Sequence, residues 1–582
     1  MKTTRRDIFK FVGGSALGVL FTPAPWRLIT DTALWSENWP GIPRPATGEI
    51  TAKFTHCSLC AAGCAVRARC VAGQPVSLAG VRGGLCPFGV TGHHLPYHPA
   101  RLQPAAASEA SAAVRGAIAK CGPGERVAVL DLRPGRTASW TARRAMAALN
   151  NGLYIAPPQS KVAVDLAKAK TVLSLGAPLF ERWGTPANVF RARDGFRLIQ
   201  AEPVESRTAA LADLWLPIRP GSEETLALSL AGRQPFAQAA EITGLTVEQL
   251  RSLQNELKDN GPPLVVDRGM SPAVVSLNVQ LGAWGRTIGP RAEAPVFHEW
   301  REAAPVTELA SVPDRSIRVL LIDESAPGEY LPWETIEKKL VPENPVVAVF
   351  AWAANGYARN ANYVLPTAVY PEAADDIPAA IDSPAPVFRM AVPLAAAPAG
   401  MVNPSEFIAN LAGMPPSDAL HQRAAAIYRA ARGTLVTYAD GKAVPVKEVK
   451  PDDFWKALNA GGCWIGEVPV AGAAPAIRAF VAPPVSSEGL VVLAGGSPAP
   501  ALASPLFTKL YQESDLLLPP DSVALHPQDA ARCGVATGAR AILETANGKW
   551  PVRVVTDSGV RPGVILAGRP EMAGAPGKVV PA

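Results

Sequence analysis

The firmest constraint on how this chain can fold is a short run of cysteines near its beginning. Cys57, Cys60 and Cys64 follow one another as Cys-x2-Cys-x3-Cys, and Cys86 lies further on in Gly83-Gly84-Leu85-Cys86-Pro87. Five of the 8 cysteines in 582 residues fall between Cys57 and Cys86, too few overall for a disulfide scaffold. A loop with this spacing can turn three thiolates toward one centre, and a distant fourth closes the site, as a cubane iron–sulfur cluster requires. Gly63 gives the loop the backbone freedom to wrap such a centre. Two other readings stay open. Structural zinc usually joins one Cys-x2-Cys to a second, which is missing, or to histidines, and His56, His93, His94 and His98 lie close in sequence. Disulfides are the other alternative if the chain reaches an oxidising compartment. Cys70 sits in the strand-like stretch Ala65 to Val71 and reads as a small buried hydrophobe, as do the isolated Cys121, Cys463 and Cys533. No Cys-x2-Cys-His occurs, so c-type haem is not attached by that motif.

The first residues suggest export. Arg5 and Arg6 precede an apolar stretch to Phe21 and then Thr22-Pro23-Ala24-Pro25, the pattern of a twin-arginine signal. The apolar run is shorter than the ~20 residues of a spanning helix. No clean Ala-x-Ala cleavage site follows and no cysteine precedes Cys57, which argues against a lipoprotein anchor. Asn344 to Ala354 is apolar but short and reads as a buried strand. The mature chain is therefore expected to be soluble or peripheral. Because this route carries folded proteins, a cofactor inserted before export is a natural expectation. Net charge is only +6, from 56 basic and 50 acidic side chains, so no nucleic-acid partner is expected.

The length suggests about four domains. Trp26 to Pro45, with Trp35 and Trp39, has no periodicity and reads as an extended surface segment or one packed on its own chain. From about residue 105 helix and strand patterns alternate: helices at Ser108 to Lys120 and Ser139 to Leu149, strands at Arg126 to Leu132, Lys170 to Leu175 and Phe196 to Ala201. Thr246 to Lys258 is a helix with a Thr246/Gln249 capping box, followed by a strand at Leu264 to Val266. A second block begins near Arg318, with strands at Val319 to Ile322 and Val346 to Phe350. Such alternation predicts parallel sheets covered by helices. Thr434 to Val449 reads as a polar connection. Four short strands separated by turn residues, Val523 to Leu525, Ala541 to Thr545, Trp550 to Val555 and Val564 to Leu566, predict a terminal β-barrel.

Several of these segments together resemble the molybdopterin oxidoreductase family, the large subunits related to dimethyl sulfoxide and polysulfide reductases. The cysteine motif is one. Ala212 to Glu223, with Asp213-Leu214-Trp215-Leu216-Pro217-Ile218-Arg219-Pro220-Gly221-Ser222, is similar to the stretch that approaches the guanosine of the pterin cofactor. Tyr363-Val364-Leu365-Pro366 with Glu372 resembles a later segment, and Asp529 to Gly538 with Val560 to Val564 resembles the C-terminal barrel. The resemblance implies an α/β multidomain fold: a twin-arginine signal at 1–30, an iron–sulfur domain at 31–104, Rossmann-like α/β units at 105–300 and 301–440, a linker at 441–484, and a double-psi β-barrel at 485–582. It also implies one 4Fe-4S cluster on Cys57, Cys60, Cys64 and Cys86.

The departures from the family pattern point away from catalysis. Phe88 stands where the family places a Lys or Arg, and a phenyl ring can neither carry charge nor bind polar cofactor groups. The loop that normally supplies a molybdenum ligand is replaced by Asn150-Asn151-Gly152-Leu153-Tyr154 running to Pro157-Pro158. Gly176-Ala177-Pro178 lacks the usual Asn, and Glu202-Pro203-Val204 the usual Arg. The pterin site is thus expected to be lost or vestigial, with molybdopterin absent and no catalytic residues. Among relatives the chain is most similar to molybdopterin-type subunits of membrane-bound menaquinone reductase complexes; Trp35 to Pro45 and Leu506 to Leu518 add to that likeness. That likeness implies electron relay from a periplasmic multihaem cytochrome c to a ferredoxin-like iron–sulfur subunit and an integral membrane quinone-binding subunit, with this chain periplasmic and peripheral on the inner membrane. The rivals are an active molybdenum or tungsten bis-pterin reductase of polysulfide or tetrathionate, and a cofactor-free scaffold.

Overall fold

The computed structural model describes residues 5–21, 48–81, 84–105, 107–180, 183–329, 331–415, 417–476, 489–495 and 518–582. The extended tryptophan segment Trp26 to Pro45 lies outside them, as does most of Leu506 to Leu518. Two units are distinguished, 1–47 and 48–582. In the first, Arg5–Phe21 forms one helix. Among the described residues no helix is long and apolar enough to cross a membrane.

In the second unit, alternation of side chains across pleated strands generates two apolar faces on one parallel sheet. Its six strands run in the order Val306–Thr307, Gly152–Ile155, Arg126–Asp131, Ile317–Glu324, Val346–Ala351 and Tyr363–Pro366. Val127, Val129, Val319 and Leu321 face one side, against the helices Ser108–Ala119, Thr137–Ala148 and Pro404–Leu411. Ala128, Leu130, Leu320 and Ile322 face the other, against Ile336, Leu340 and Tyr357. Each such Val, Leu or Ile removed from water contributes about 1.5–3 kcal/mol.

A boundary near residue 300 does not separate two sheets. Arg126–Asp131, from the expected first unit, pairs in parallel with Ile317–Glu324 from the expected second, Val129 opposite Leu321. Both central strands are continuously apolar, so each is satisfied only by burial on both faces, and local sequence does not say which strand lies beside which. The chain between them forms a second, four-stranded parallel sheet in the order Pro263–Val266, Thr171–Leu175, Arg197–Ala201, Leu214–Leu216. Against it packs the helix Val247–Asp259, started by the Thr246/Gln249 capping box and buried through Leu250, Leu253 and Leu257.

The polar stretch after residue 434 is not a connection. Thr434–Val436, Ala443–Pro445 and Cys463–Ile465 join Asp375–Ile377 and Val387–Ala391 in a five-stranded sheet, and the helix Pro451–Asn459 buries Phe454 and Leu458. A linker starting at 441 therefore gives way to folded structure through residue 465. Its polar residues, Thr437, Asp440 and Lys442 among them, lie mostly in the turn between two very short strands, so composition alone reads as loop.

The last strands close on themselves. Leu490–Ala494, Val564–Ala567, Ser522–Leu525, Gly548–Thr556, Arg540–Thr545 and Gly574–Pro581 form a six-stranded barrel, filled by its own Val523, Leu525, Leu543, Val554 and Ile565.

Candidate functional site

The cysteine loop hangs from a hairpin. Ile50–His56 and Ala65–Val71 pair antiparallel, with His56 opposite Ala65, so the eight residues between them form a closed bulb. Cys57 N–H donates to Cys64 O (2.9 Å) across its neck, and Gly63 N–H donates to Cys60 O (3.4 Å) within it. Gly63 takes φ +54°, and a Cβ there would come within 2.7 Å of Arg389 Nη1. Glycine is thus needed on both counts, conformation and close approach. Cys86 stands immediately before the short helix Pro87–Val90 and accepts from Val90 N–H through its carbonyl (3.0 Å).

These segments bring the four sequence-predicted cysteines within electrostatic reach of one another. Cys57 is buried, and Cys60, Cys64 and Cys86 are half-buried. Burial first, then the neighbouring Cys60, Cys64 and Cys86, push the Cys57 thiol well above its ordinary range. Burial, followed by Cys60 and Cys86, pushes Cys64 up to about 12. Neither Cys57 nor Cys64 ionises readily without a positive partner. Around them pack Leu59, Val66, Leu78, Leu95, Val369 and Leu394, with Phe88 and Trp352. Cys70 shares the buried face of its strand with Val66 and Ala68, in keeping with a packing role. Among the described residues no two cysteines are joined in a disulfide. Among the described residues no group of three or more His, Cys, Asp or Glu side chains is gathered to hold a metal ion.

The nearby histidines are engaged elsewhere. His56, buried, donates from Nδ1 to Met390 O (3.1 Å) and accepts at Nε2 from the Tyr438 hydroxyl (3.3 Å). Burial and then Arg389 lower its pKa to about 3, so it is a neutral structural residue. His93 Nδ1 reaches Val90 O (3.0 Å), and His98 packs edge-on to Trp352.

Two features escaped the sequence reading. Arg389, from the strand Val387–Ala391, donates to Ala62 O (2.8 Å) and sets a guanidinium beside the cysteine loop. It lies 327 positions from Ala62, and nothing local marks it. The second feature is a buried ion network at the carboxyl ends of the six-stranded sheet, where open α/β sheets generally receive ligands. Arg136 pairs with Asp323 (2.7 Å), Asp375 (3.0 Å) and Asp131 (3.2 Å), and Arg133 with Asp375 (3.2 Å). Asp131 also accepts from the Tyr154 and Ser139 hydroxyls. Burial works against the Asp323 carboxylate, but Arg136 and Arg133 hold it well below the usual range. Beside the network, Arg423 pairs with Asp376 (3.0 Å), both 2% exposed. Nearby, helix Thr137–Ala148 reaches strand Gly152–Ile155 through residues 149–151.

Glu372 takes a bidentate grip on Arg101 (2.6 and 3.1 Å), tying the segment beyond Cys86 to the segment after Tyr363–Pro366. Leu214–Leu216, in the Ala212 to Glu223 stretch, is the edge strand of the four-stranded sheet. The chain just after it meets the barrel, where Arg561 donates to Pro217 O (3.0 Å).

Comparison with known proteins agrees with this architecture. Residues 511–581 match the Molydopterin dinucleotide binding domain. The chain is 25% identical, over 96% of its own length and 92% of the relative's, to the menaquinone reductase, molybdopterin-binding-like subunit of Nitratidesulfovibrio vulgaris (strain Hildenborough). Its fold superposes on acetylene hydratase from Pelobacter acetylenicus with a TM-score of 0.64, at 14% identity, covering 88% of this chain and 92% of that one. The match at 511–581 bears on the expected absence of molybdopterin: the domain named for binding the dinucleotide is present, so its loss cannot be read from the fold.

Proposed function

From its likeness to a menaquinone reductase subunit and to the molybdopterin enzyme fold, we propose that this chain is an electron-transfer subunit of a membrane quinone reductase complex. Cys57, Cys60, Cys64 and Cys86 hold one 4Fe-4S cluster. The observation that carries the proposal is the electrostatic proximity of these four cysteines, with Cys57 and Cys64 packed in an apolar cluster where burial and the neighbouring cysteines disfavour a bare thiolate, so that a positively charged centre would be needed to hold them ionised. A bound cluster would supply reversible one-electron storage. The chain's own contribution is to exclude water with Leu59, Leu78, Leu95 and Leu394, to hold the loop through Arg389, and to fix the Cys86 segment through Pro87 and the Arg101–Glu372 pair.

No molybdenum chemistry is assigned. Retention of the barrel supports a retained fold rather than a retained cofactor, because its interior is filled by its own side chains. The contracted turn at 149–151 and the buried ion network beside it likewise favour a structural use of the former pocket. Export by the twin-arginine route, a periplasm-facing position, and partners comprising a multihaem cytochrome c, a ferredoxin-like subunit and a quinone-binding membrane subunit belong to the same proposal.

Metal analysis of the complex purified from its native membranes tests it. The expected result is about four iron per chain with no molybdenum or tungsten. Stoichiometric molybdenum or tungsten would restore the reductase reading, and zinc without iron would leave a scaffold.

A further inference from the structure

Among the described residues, Tyr370 brings a buried hydroxyl into the apolar cluster around the cysteine site. The residue is 5% exposed and packs with Cys57, Val66, Leu95 and Leu394. Its ring lies so close to Gly92 that a Cβ there would collide with it, so the ring has little freedom to swing away. The Tyr370 hydroxyl makes no hydrogen bond to an oxygen or nitrogen of the protein, and Cys57 is the one side chain placed to pair with it. A buried hydroxyl whose sole available partner is a weakly accepting thiol is poorly compensated, and a phenylalanine would fill the same space without that cost. The ionisable neighbours that act on the hydroxyl are the thiols of Cys57, Cys64 and Cys86, with Cys57 foremost.

A hydroxyl beside a sulfur can act on it by donating a hydrogen bond. Thiolate and sulfide sulfurs carry negative charge, and a charge-assisted hydrogen bond strengthens as that charge grows. Reduction adds an electron to the centre, so a fixed donor stabilises the reduced form more than the oxidised one and raises the potential.

We propose that Tyr370 donates its hydroxyl proton to a sulfur of the centre at Cys57 and thereby sets the reduction potential upward. The inference rests on the cluster assignment above, and it adds a tuning residue that lies 284 positions beyond Cys86.

The test is an electrochemical titration of the intact complex carrying Tyr370→Phe, followed by electron paramagnetic resonance. With iron content unchanged, the one-electron reduction equilibrium should shift by about tenfold toward the oxidised form, ~59 mV lower. An unchanged midpoint with an intact cluster overturns the inference and leaves the cluster assignment standing. No iron–sulfur signal in the wild-type complex overturns both. Should the variant fail to assemble, wild-type complex labelled with 13C at the tyrosine Cζ gives a second measurement. A resolved 13C hyperfine coupling to the reduced centre is expected, and its absence overturns the inference.

Discussion

Replacing Arg136 by Met tests whether the ion network at the sheet's carboxyl ends has become a dry structural cross-link. The Arg136 side chain is 6% exposed, and its three partners Asp131, Asp323 and Asp375 are 3%, 8% and 14% exposed. Methionine fills similar volume but leaves three carboxylates facing one remaining nearby guanidinium, Arg133, at 3.2 Å from Asp375 and 3.7 Å from Asp323. Breaking a buried ion pair by removing one partner costs about 3–5 kcal/mol, and the remaining Arg133 places this case near about 3 kcal/mol. For a folding unit of about 150–250 residues that corresponds to a melting temperature roughly 6–12 °C lower. The pH dependence carries a definite sign. In the wild type the Asp323 carboxyl titrates below its unfolded value of about 3.9, so its stabilisation is complete above that pH and is lost as pH falls through the lower folded value. In the variant Arg133 and Ser325 still lower that carboxyl, but burial, the largest single influence, works against them, so it titrates higher than in the wild type. The stability gap between wild type and Arg136→Met should therefore widen from about pH 4 to pH 7. Urea unfolding followed by circular dichroism across that range measures it. A gap under about 1 kcal/mol at pH 7, or one independent of pH, would refute the picture of a dry, mutually dependent network.

Other expectations follow from the cysteine site and from the second sheet. Cys60→Ser should lower iron content and broaden the visible iron–sulfur absorption, whereas Cys70→Ser, on the buried face of its strand, should leave both unchanged; loss in the second variant would reassign the ligands. Thr246→Ala removes the acceptor for Gln249 N–H (3.1 Å) and should cost about 1 kcal/mol in denaturant unfolding without altering iron content.

Some of this protein was legible because the information is local. The cysteine spacing is a property of one loop, and the structure closes that loop with the Cys57–Cys64 backbone bond that a hairpin imposes. The Thr246/Gln249 box and the Leu250, Leu253, Leu257 stripe are likewise contained in a single helix. What was not legible is non-local. Arg136 meets Asp323 and Asp375 across 187 and 239 positions, and each of these residues alone reads as an ordinary surface charge. Arg389 and Tyr370 are placed at the cysteine loop by a strand and a turn more than 280 positions away in sequence. The expected boundary near residue 300 failed for the same reason: strand neighbours in a parallel sheet are chosen by crossovers, and hydrophobic pattern records burial but not adjacency.

The interleaved central sheet dictates an order of events during synthesis. The strand Arg126–Asp131 emerges long before its neighbour Ile317–Glu324, with the whole four-stranded sheet made in between. A nascent chain that ends near residue 300 carries an apolar strand with one bare edge, the kind of surface that recruits chaperones or pairs wrongly with a second copy. The intervening sheet has its own core and can consolidate early, drawing the two halves of the central sheet together. Stalled or truncated chains should accordingly be insoluble up to about residue 324 and recover only once Val346–Ala351 is added, which makes the ribosome's passage through these residues the point of commitment for the molecule.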